Sequence, residues 1–352
     1  MKKKLKVVIA GGGTGGHYYP AVSFLNYLSK FHDLEILYFV TKNRIEEKKL
    51  HLDLPKAKKI ILDITGLLRP LYHPKNIKRV YNSLLNISIA EKNIEEFKPD
   101  LGFLTGGYVC FPVAKALKKC KIPYFLHEQN SIIGITNKLT AKNAQKVFVS
   151  FEETKLNEKY ILSGNPVRNI NNKINRIALK EYGLKDISKR TIVVFGGSLG
   201  SNAIDQIMKK IYSIDKSNNY IHITENKDLF LQYENVRIFN YIDNIHELFA
   251  ISDGVISRAG ATSIAEFIFY KIKSALIPWK NASENHQHKN AMTLKKMGLA
   301  EIFDEDNIDY DKMLEYINSF QIKSNDFEWI PKNDNAVNII YENINKVLLN
   351  NI

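Results

Sequence analysis

His17 closes the run Gly11-Gly12-Gly13-Thr14-Gly15-Gly16-His17, which follows the apolar Val7-Val8-Ile9-Ala10. A glycine turn between a strand and a helix aims backbone N–H groups and a helix N-terminus at a phosphate. The positive end of the helix dipole disfavours an imidazolium, so a histidine in that first turn stays neutral and able to accept a proton. Capping or packing is its alternative use. Two further turns repeat the pattern: Gly106-Gly107-Tyr108 follows Leu101-Gly102-Phe103-Leu104, and Gly196-Gly197-Ser198-Leu199-Gly200 follows Ile192-Val193-Val194-Phe195. Ser198 and its neighbouring amides can hold a diphosphate at the next helix start, a position that equally suits a plain N-cap.

Three polar clusters follow other apolar runs. His127-Glu128-Gln129-Asn130 ends one strand-like segment, where four consecutive polar side chains point to a ligand rather than to folding. Ser257 to Glu266 reads as a strand end, a small-residue turn and a helix. Small residues let a ligand approach the backbone closely. Glu266 either accepts hydrogen bonds from a ribose or offsets the helix dipole. Pro278 to Gln287 is rich in amides and follows a buried strand. It reads either as a solvated loop or as one of the ligand loops that open α/β sheets carry at strand C-termini.

Alternating elements must position these groups. Strands are expected at 6–10, 35–40, 60–64, 101–104, 124–127 and 146–150, with helices at 20–30, 75–97 and 111–119. Ser163 to Arg168 carries Gly, Asn and Pro and reads as a linker. Beyond it, strands are expected at 191–195, 220–224, 236–239, 254–257 and 274–277, and helices at 201–211, 262–269, 284–296 and 335–350. Such alternation implies parallel sheets with right-handed crossovers. Two glycine turns in the first half and one opening the second imply two nucleotide-fold halves facing one cleft.

Bulk properties narrow the partners. A length of 352 residues allows two domains, and 45% hydrophobic with 25% charged residues is ordinary for a globular chain. Fifty Lys and Arg against 37 Asp and Glu leave a net charge of +13, which suits an anionic partner or reflects a general richness in lysine. No nucleic-acid reading module is visible, so nucleic acid is not expected. Cys110 and Cys120 lack metal-ligand spacing. The apolar run behind Met1-Lys2-Lys3-Lys4 is too short for a signal peptide and reads as the first strand. No apolar run reaches spanning length. From Ile64 to Ala90 no acidic residue occurs, while His73, Arg69, Lys75, Lys78 and Arg79 lie among Leu67, Leu68, Leu71, Tyr72, Ile77 and Tyr81. That mixture fits an anionic lipid surface or a solvated helix face.

Two rivals stand beside a nucleotide- or diphosphate-binding enzyme. Gly11 to Gly16 satisfies the dinucleotide fingerprint, but the second strand ends Val40-Thr41-Lys42, without the acid that holds a ribose. A non-catalytic lipid-binding scaffold is the other.

Taken together, Gly11–Ala21 (GGGTGGHYYPA), Gly106–Pro112 (GGYVCFP), His127–Asn130 (HEQN), Gly164–Arg168 (GNPVR), Gly196–Gly200 (GGSLG), Arg258–Glu266 and Glu284–Ala291 (ENHQHKNA) closely resemble the MurG family of bacterial glycosyltransferases, family 28. The motifs run in order as far as Ala291. The resemblance implies a GT-B fold of two Rossmann-like, doubly wound domains. These would span 1–163, rejoined by a terminal helix at 335–352, and 164–334. It implies inverting transfer of N-acetylglucosamine (GlcNAc) from UDP-GlcNAc to the muramoyl 4-hydroxyl of lipid I, giving lipid II. It implies neither metal nor cofactor, and a peripheral place on the cytoplasmic face of the plasma membrane among cell-wall and division proteins. Carried over, the donor site comprises Thr14, Gly15, Gly16, Asn130, Arg168, Ser198, Ile242, Ala261, Thr262, Ser263, Ile264, Ala265, Glu266 and Gln287. His17 and Glu128 fall near the chemistry, and Tyr108 joins the basic residues on the acceptor and membrane side. Leu199, Ser257–Gly260 and His286 depart from the family pattern.

Overall fold

Buried apolar strands and the helices between them build two α/β units. The computed structural model describes residues 2–66, 72–170, 172–197, 200–229, 232–282, 285–330, 332 and 334–349. Unit 1 comprises residues 1–167 and 334–352, and unit 2 comprises residues 168–333.

Unit 1 opens with β1 (Lys3–Ala10), α1 (Gly15–Leu28), β2 (His32–Thr41), α2 (Ile45–Asp53), β3 (Lys58–Leu62) and α3 (Lys75–Phe97). It continues through β4 (Leu101–Leu104), α4 (Cys110–Lys119), β5 (Tyr124–Glu128), α5 (Ile135–Thr140), β6 (Val147–Val149) and β7 (Tyr160–Leu162). The strands form one parallel sheet in the order β3-β2-β1-β4-β5-β6-β7. Val7 to Ala10 and Leu37 to Val40 are fully buried, the continuous apolar run of a sheet covered on both faces. Val8, Ala10, Leu37 and Phe39 pack on one side with Ala90 and Val113, while Val7, Ile9, Tyr38 and Val40 pack on the other with Phe24 and Leu25.

Unit 2 repeats the plan with β8 (Ile174–Asn175), β9 (Thr191–Phe195), α6 (Asn202–Ile214), β10 (Asn219–Ile223), β11 (Val236–Phe239), α7 (Ile245–Ile251) and β12 (Gly254–Ser257). It ends with α8 (Ala261–Tyr270), β13 (Lys273–Leu276), α9 (His286–Lys296), β14 (Ala300–Ile302), α10 (Tyr310–Asn318) and β15 (Glu328–Trp329). Its parallel sheet has the order β11-β10-β9-β12-β13-β14, and β8 pairs antiparallel with β15. Arg176 is fully buried and donates to both oxygens of Asp253 at 2.8 and 2.7 Å. The same carboxylate accepts from the Thr191 and Lys323 amides, which pins the start of β9. The last helix, α11 (Asn335–Leu349), belongs to unit 1: Ile340 and Ile344 join the Phe24 cluster, and Tyr341 stacks on Phe31 with ring centroids 4.8 Å apart.

The two parallel sheets are those expected from the alternation, and their doubly wound order is the one the family resemblance implies. Local bounds differ. α1 starts at Gly15 rather than at Pro20, because Thr14 is extended at φ −146° and forms the cap, so both following glycines turn helical. α2, α5, α7 and α10 and strands β7, β8, β14 and β15 are not among the elements named from the sequence. All are short, and short segments carry too few periods to separate helix, strand and loop.

Candidate functional site

In each sheet the strand order reverses beside the first strand, between β1 and β4 in unit 1 and between β9 and β12 in unit 2. Open α/β sheets bind ligands outside the strand C-termini at such a reversal. The candidate residues gather at these two places.

In unit 1, Thr105 and Gly106 leave β4 beside Gly11 and Gly12, which leave β1. The Thr105 amide donates to Ala10 O at 2.9 Å, and the Thr105 hydroxyl donates to His17 O at 2.6 Å. His17 is the third residue of α1 and is half-buried. Its Nδ1 lies 2.9 Å from Thr105 O and 2.8 Å from Gln129 Oε1, two oxygens that only accept. The proton of the neutral ring therefore sits on Nδ1, and Nε2 keeps its lone pair. Gly106 makes this approach possible: at φ +103°, a Cβ there would stand 2.8 Å from His17 Nδ1. Tyr108 is 53% exposed beside that turn.

The first glycine turn departs from the phosphate expectation at one amide. Gly13 N–H donates to the Glu46 carboxylate, 3.0 Å from each oxygen, and Thr41 N–H donates to the same group at 3.1 Å. Glu46 is fully buried, so this amide is already matched to an anion of the chain itself. Thr14 caps α1 without a side-chain hydrogen bond, and Gly15 and Gly16 form its first turn.

Glu128 is 1% exposed, and its oxygens accept from Asn130 N and Nδ2 at 3.1 and 3.3 Å, from Gly134 N at 2.9 Å and from Asn137 Nδ2 at 2.8 Å. It folds the loop that carries Asn130. The expectation that this polar run serves only a ligand is corrected for Glu128, whose carboxylate is satisfied by its own loop.

In unit 2, Arg168 and Glu266 form a bidentate pair, Nε to Oε1 at 2.8 Å and Nη2 to Oε2 at 3.2 Å. Glu266 is 2% exposed and lies in the second turn of α8. Burial, with Arg168 beside it, pushes His246 down to about 3, so that ring stays neutral. Gly260 caps α8 without a side chain, leaving Ala261, Thr262 and Ser263 in its first turn. Ile264 is fully buried, its backbone included, while Ala265 is half-buried. The third glycine turn needs Gly196, whose added Cβ would stand 2.3 Å from Ser201 N. Ser201 caps α6 and also accepts from Arg258 Nη2 at 2.8 Å, which ties that turn to the end of β12. Gln287 accepts from Trp279 N at 2.9 Å, and Asn290 donates to Ala259 O at 3.2 Å, so α9 borders the same turn. Ile242 is half-buried in the loop before α7.

Ser198 and Arg69 lie outside the described residues. Lys75 and Lys78 are exposed on α3, whereas Arg79 is half-buried and donates to Gly66 O. Their helix also exposes Ile77, Tyr81, Leu84 and Leu85, at 78, 60, 55 and 50%. No helix among the described residues is long and apolar enough to cross a membrane. Sequence reasoning passed over Glu46, whose role rests on a tertiary contact, and Thr105, which acts through its carbonyl. It named Gln129 only within its motif, where the polar run after a strand was the available signal.

The model of the glycosyltransferase family 28 N-terminal domain matches residues 7–149, and that of the family's C-terminal domain matches residues 191–343. The chain is 38% identical over 321 residues to a Thermotoga maritima protein, covering 89% of this chain and 91% of the relative. It is 36% identical over 347 residues to one from Thermosipho melanesiensis, covering 98% and 99%. Both relatives are named UDP-N-acetylglucosamine–N-acetylmuramyl-(pentapeptide) pyrophosphoryl-undecaprenol N-acetylglucosamine transferase. Among solved structures, Acinetobacter baumannii MurG aligns with a TM-score of 0.69 at 20% identity over 98% of this chain and 99% of that one, a likeness of fold. With both domain models matched and these identities over nearly full length, the chain belongs to glycosyltransferase family 28.

Proposed function

We propose that this chain transfers N-acetylglucosamine from UDP-GlcNAc to the muramoyl 4-hydroxyl of a pentapeptide-bearing, pyrophosphoryl-undecaprenol-linked acceptor, forming lipid II. The observation that carries this reading is the near full-length likeness to transferases of that name, 36 to 38% identical. The geometry agrees with it. Unit 1 supplies the acceptor chemistry: His17 Nε2 takes the hydroxyl proton while the hydroxyl oxygen attacks the anomeric carbon. The bond from that carbon to the diphosphate breaks, the centre inverts, and UDP leaves with the electron pair. Unit 2 supplies the donor chemistry. Amides of the α6 and α8 first turns, Ser198 and Arg168 stabilise the charge growing on the diphosphate, a preorganised term of about 3 kcal/mol for each such donor. Ile242, Glu266 and Gln287 hold the nucleoside and the sugar. Thr14, Gly15, Gly16 and Asn130 border the reacting sugar, and Glu128 acts through the Asn130 loop rather than on reacting atoms.

The exposed α3 face with Lys75 and Lys78, together with Tyr108, rests on an anionic lipid surface where the acceptor resides, on the cytoplasmic side of the membrane. Other cell-wall and division proteins are its natural neighbours there.

Thermal denaturation with UDP-GlcNAc beside UDP, ADP and NAD tests the donor assignment. A ligand at a hundredfold excess over its Kd stabilises by about 2.7 kcal/mol. UDP-GlcNAc is expected to raise Tm most, UDP less, and ADP and NAD not at all. A rise with NAD, or none with UDP-GlcNAc, contradicts the reading.

A further inference from the structure

Behind His17 runs a chain of hydrogen bonds whose direction is fixed from its far end. His127 Nε2 lies 2.9 Å from Gly164 O, which only accepts, so the His127 proton sits on Nε2. His127 is fully buried, and that burial pushes it down to about 4 against the opposing pull of the Gly164 bond. Its ring is neutral near pH 7, and Nδ1 is a bare acceptor. That Nδ1 lies 2.9 Å from the amide nitrogen of Gln129, and the same nitrogen donates to Thr105 O at 2.7 Å. Both neighbours demand N–H donors, which settles the orientation of the Gln129 amide. Its carbonyl oxygen is thereby turned to His17 Nδ1 at 2.8 Å.

We propose that Gln129 is a positioning residue: held in one amide orientation by His127 and Thr105, it keeps the proton of His17 on Nδ1 and leaves Nε2 to take the acceptor's proton. The inference rests on the reading of His17 as the base. Thr105 O shares the Nδ1 proton at 2.9 Å, so Gln129 adds a second acceptor that strengthens as the ring becomes an imidazolium. A glutamine that merely filled space at 1% exposure would not tune the ring it faces.

The titratable groups on the elements around His17 leave this role to Gln129. Glu46 on α2 is engaged by the Gly13 and Thr41 amides, and Glu128 on β5 by its own loop. Cys110 on α4 is pushed up to about 12 by burial and remains a thiol. Tyr18 on α1 and Tyr38 on β2 are raised by burial and remain neutral, and Tyr108 is exposed. His127 is neutral, as above.

Gln129→Met and Gln129→Leu remove the second acceptor and put no new charge beside the ring. The midpoint of His17 is read by NMR of histidine-labelled protein, assigned with His17→Ala, alongside the pH profile of kcat. A base must be neutral, so activity falls as pH drops through its midpoint. The His17 midpoint is expected to fall in both variants, with the acidic limb of kcat moving the same way and KM for the donor unchanged. A midpoint unmoved or raised in a folded variant overturns the proposal. In the native chain the same spectra report the tautomer, and a neutral His17 ring protonated on Nε2 overturns the proposal whether or not either variant folds. Midpoints that fall while the kcat limb stays fixed uphold the role of Gln129 and remove His17 as the base.

Discussion

Glu266 holds both oxygens against Arg168, at 2.8 and 3.2 Å, with only 2% of its surface exposed. Truncating one member of such a pair leaves a charge without its partner, at a cost of about 3 kcal/mol, whereas replacing both by apolar side chains is often neutral. That asymmetry separates structure from function. Glu266→Gln is expected to lower the denaturation midpoint and to weaken UDP-GlcNAc binding. The double variant Arg168→Met/Glu266→Leu is expected to regain most of the stability and none of the affinity, measured by urea unfolding and calorimetric titration. Affinity equal to that of the native chain in the double variant would remove the pair from the donor site. Neither the pairing of Arg168 with Glu266 nor that of Glu46 with Gly13 was legible in sequence. Partners 98 and 33 residues apart meet only through the fold. The glycine turn before His17 was legible, because it follows an apolar run, but the helix was expected from Pro20 and starts at Gly15.

At the scale of elements, legibility followed hydrophobic pattern rather than length. β4, β9, β11 and β12 have the bounds that their apolar runs predict, and α3 spans all of its expected 75–97. β1 and β2 extend further than expected. Lys3 to Lys6 pair in register with His32 to Glu35, and the Lys6–Glu35 contact at 3.5 Å joins the charged ends. Charged edge residues carry no strand signal of their own and become strand only through a partner. The α3 face carries its own prediction. Each basic group near anionic lipid contributes about 1 kcal/mol, so Lys75→Glu/Lys78→Glu is expected to weaken binding to phosphatidylglycerol vesicles by about 25-fold or more, with less effect at high salt. Arg79 is left out because it holds Gly66 O. Vesicle binding unchanged by the double reversal would rule out α3 as the lipid contact.

Across the whole molecule, one plan is used twice: a parallel sheet with its strand order reversing beside the first strand, and a glycine turn at that reversal in each unit. The repeated strand–glycine–helix pattern made this plan readable from the chain. Assignment to family 28 adds the reaction class to it. The surplus of positive charge, +13 overall, suits an anionic partner. What the sequence alone left open is which groups of the two reversal points serve the fold and which are turned to a ligand. The central claim is that His17 removes the acceptor proton during GlcNAc transfer. The most direct test follows labelled GlcNAc from UDP-GlcNAc onto a muramyl-pentapeptide pyrophosphoryl lipid, with the native chain and with His17→Ala. The account predicts a lipid-linked disaccharide of inverted anomeric configuration, formed about a hundredfold or more slowly by His17→Ala, with donor affinity unchanged. Transfer by His17→Ala at the native rate, or release of free GlcNAc without a disaccharide by the native chain, would contradict it.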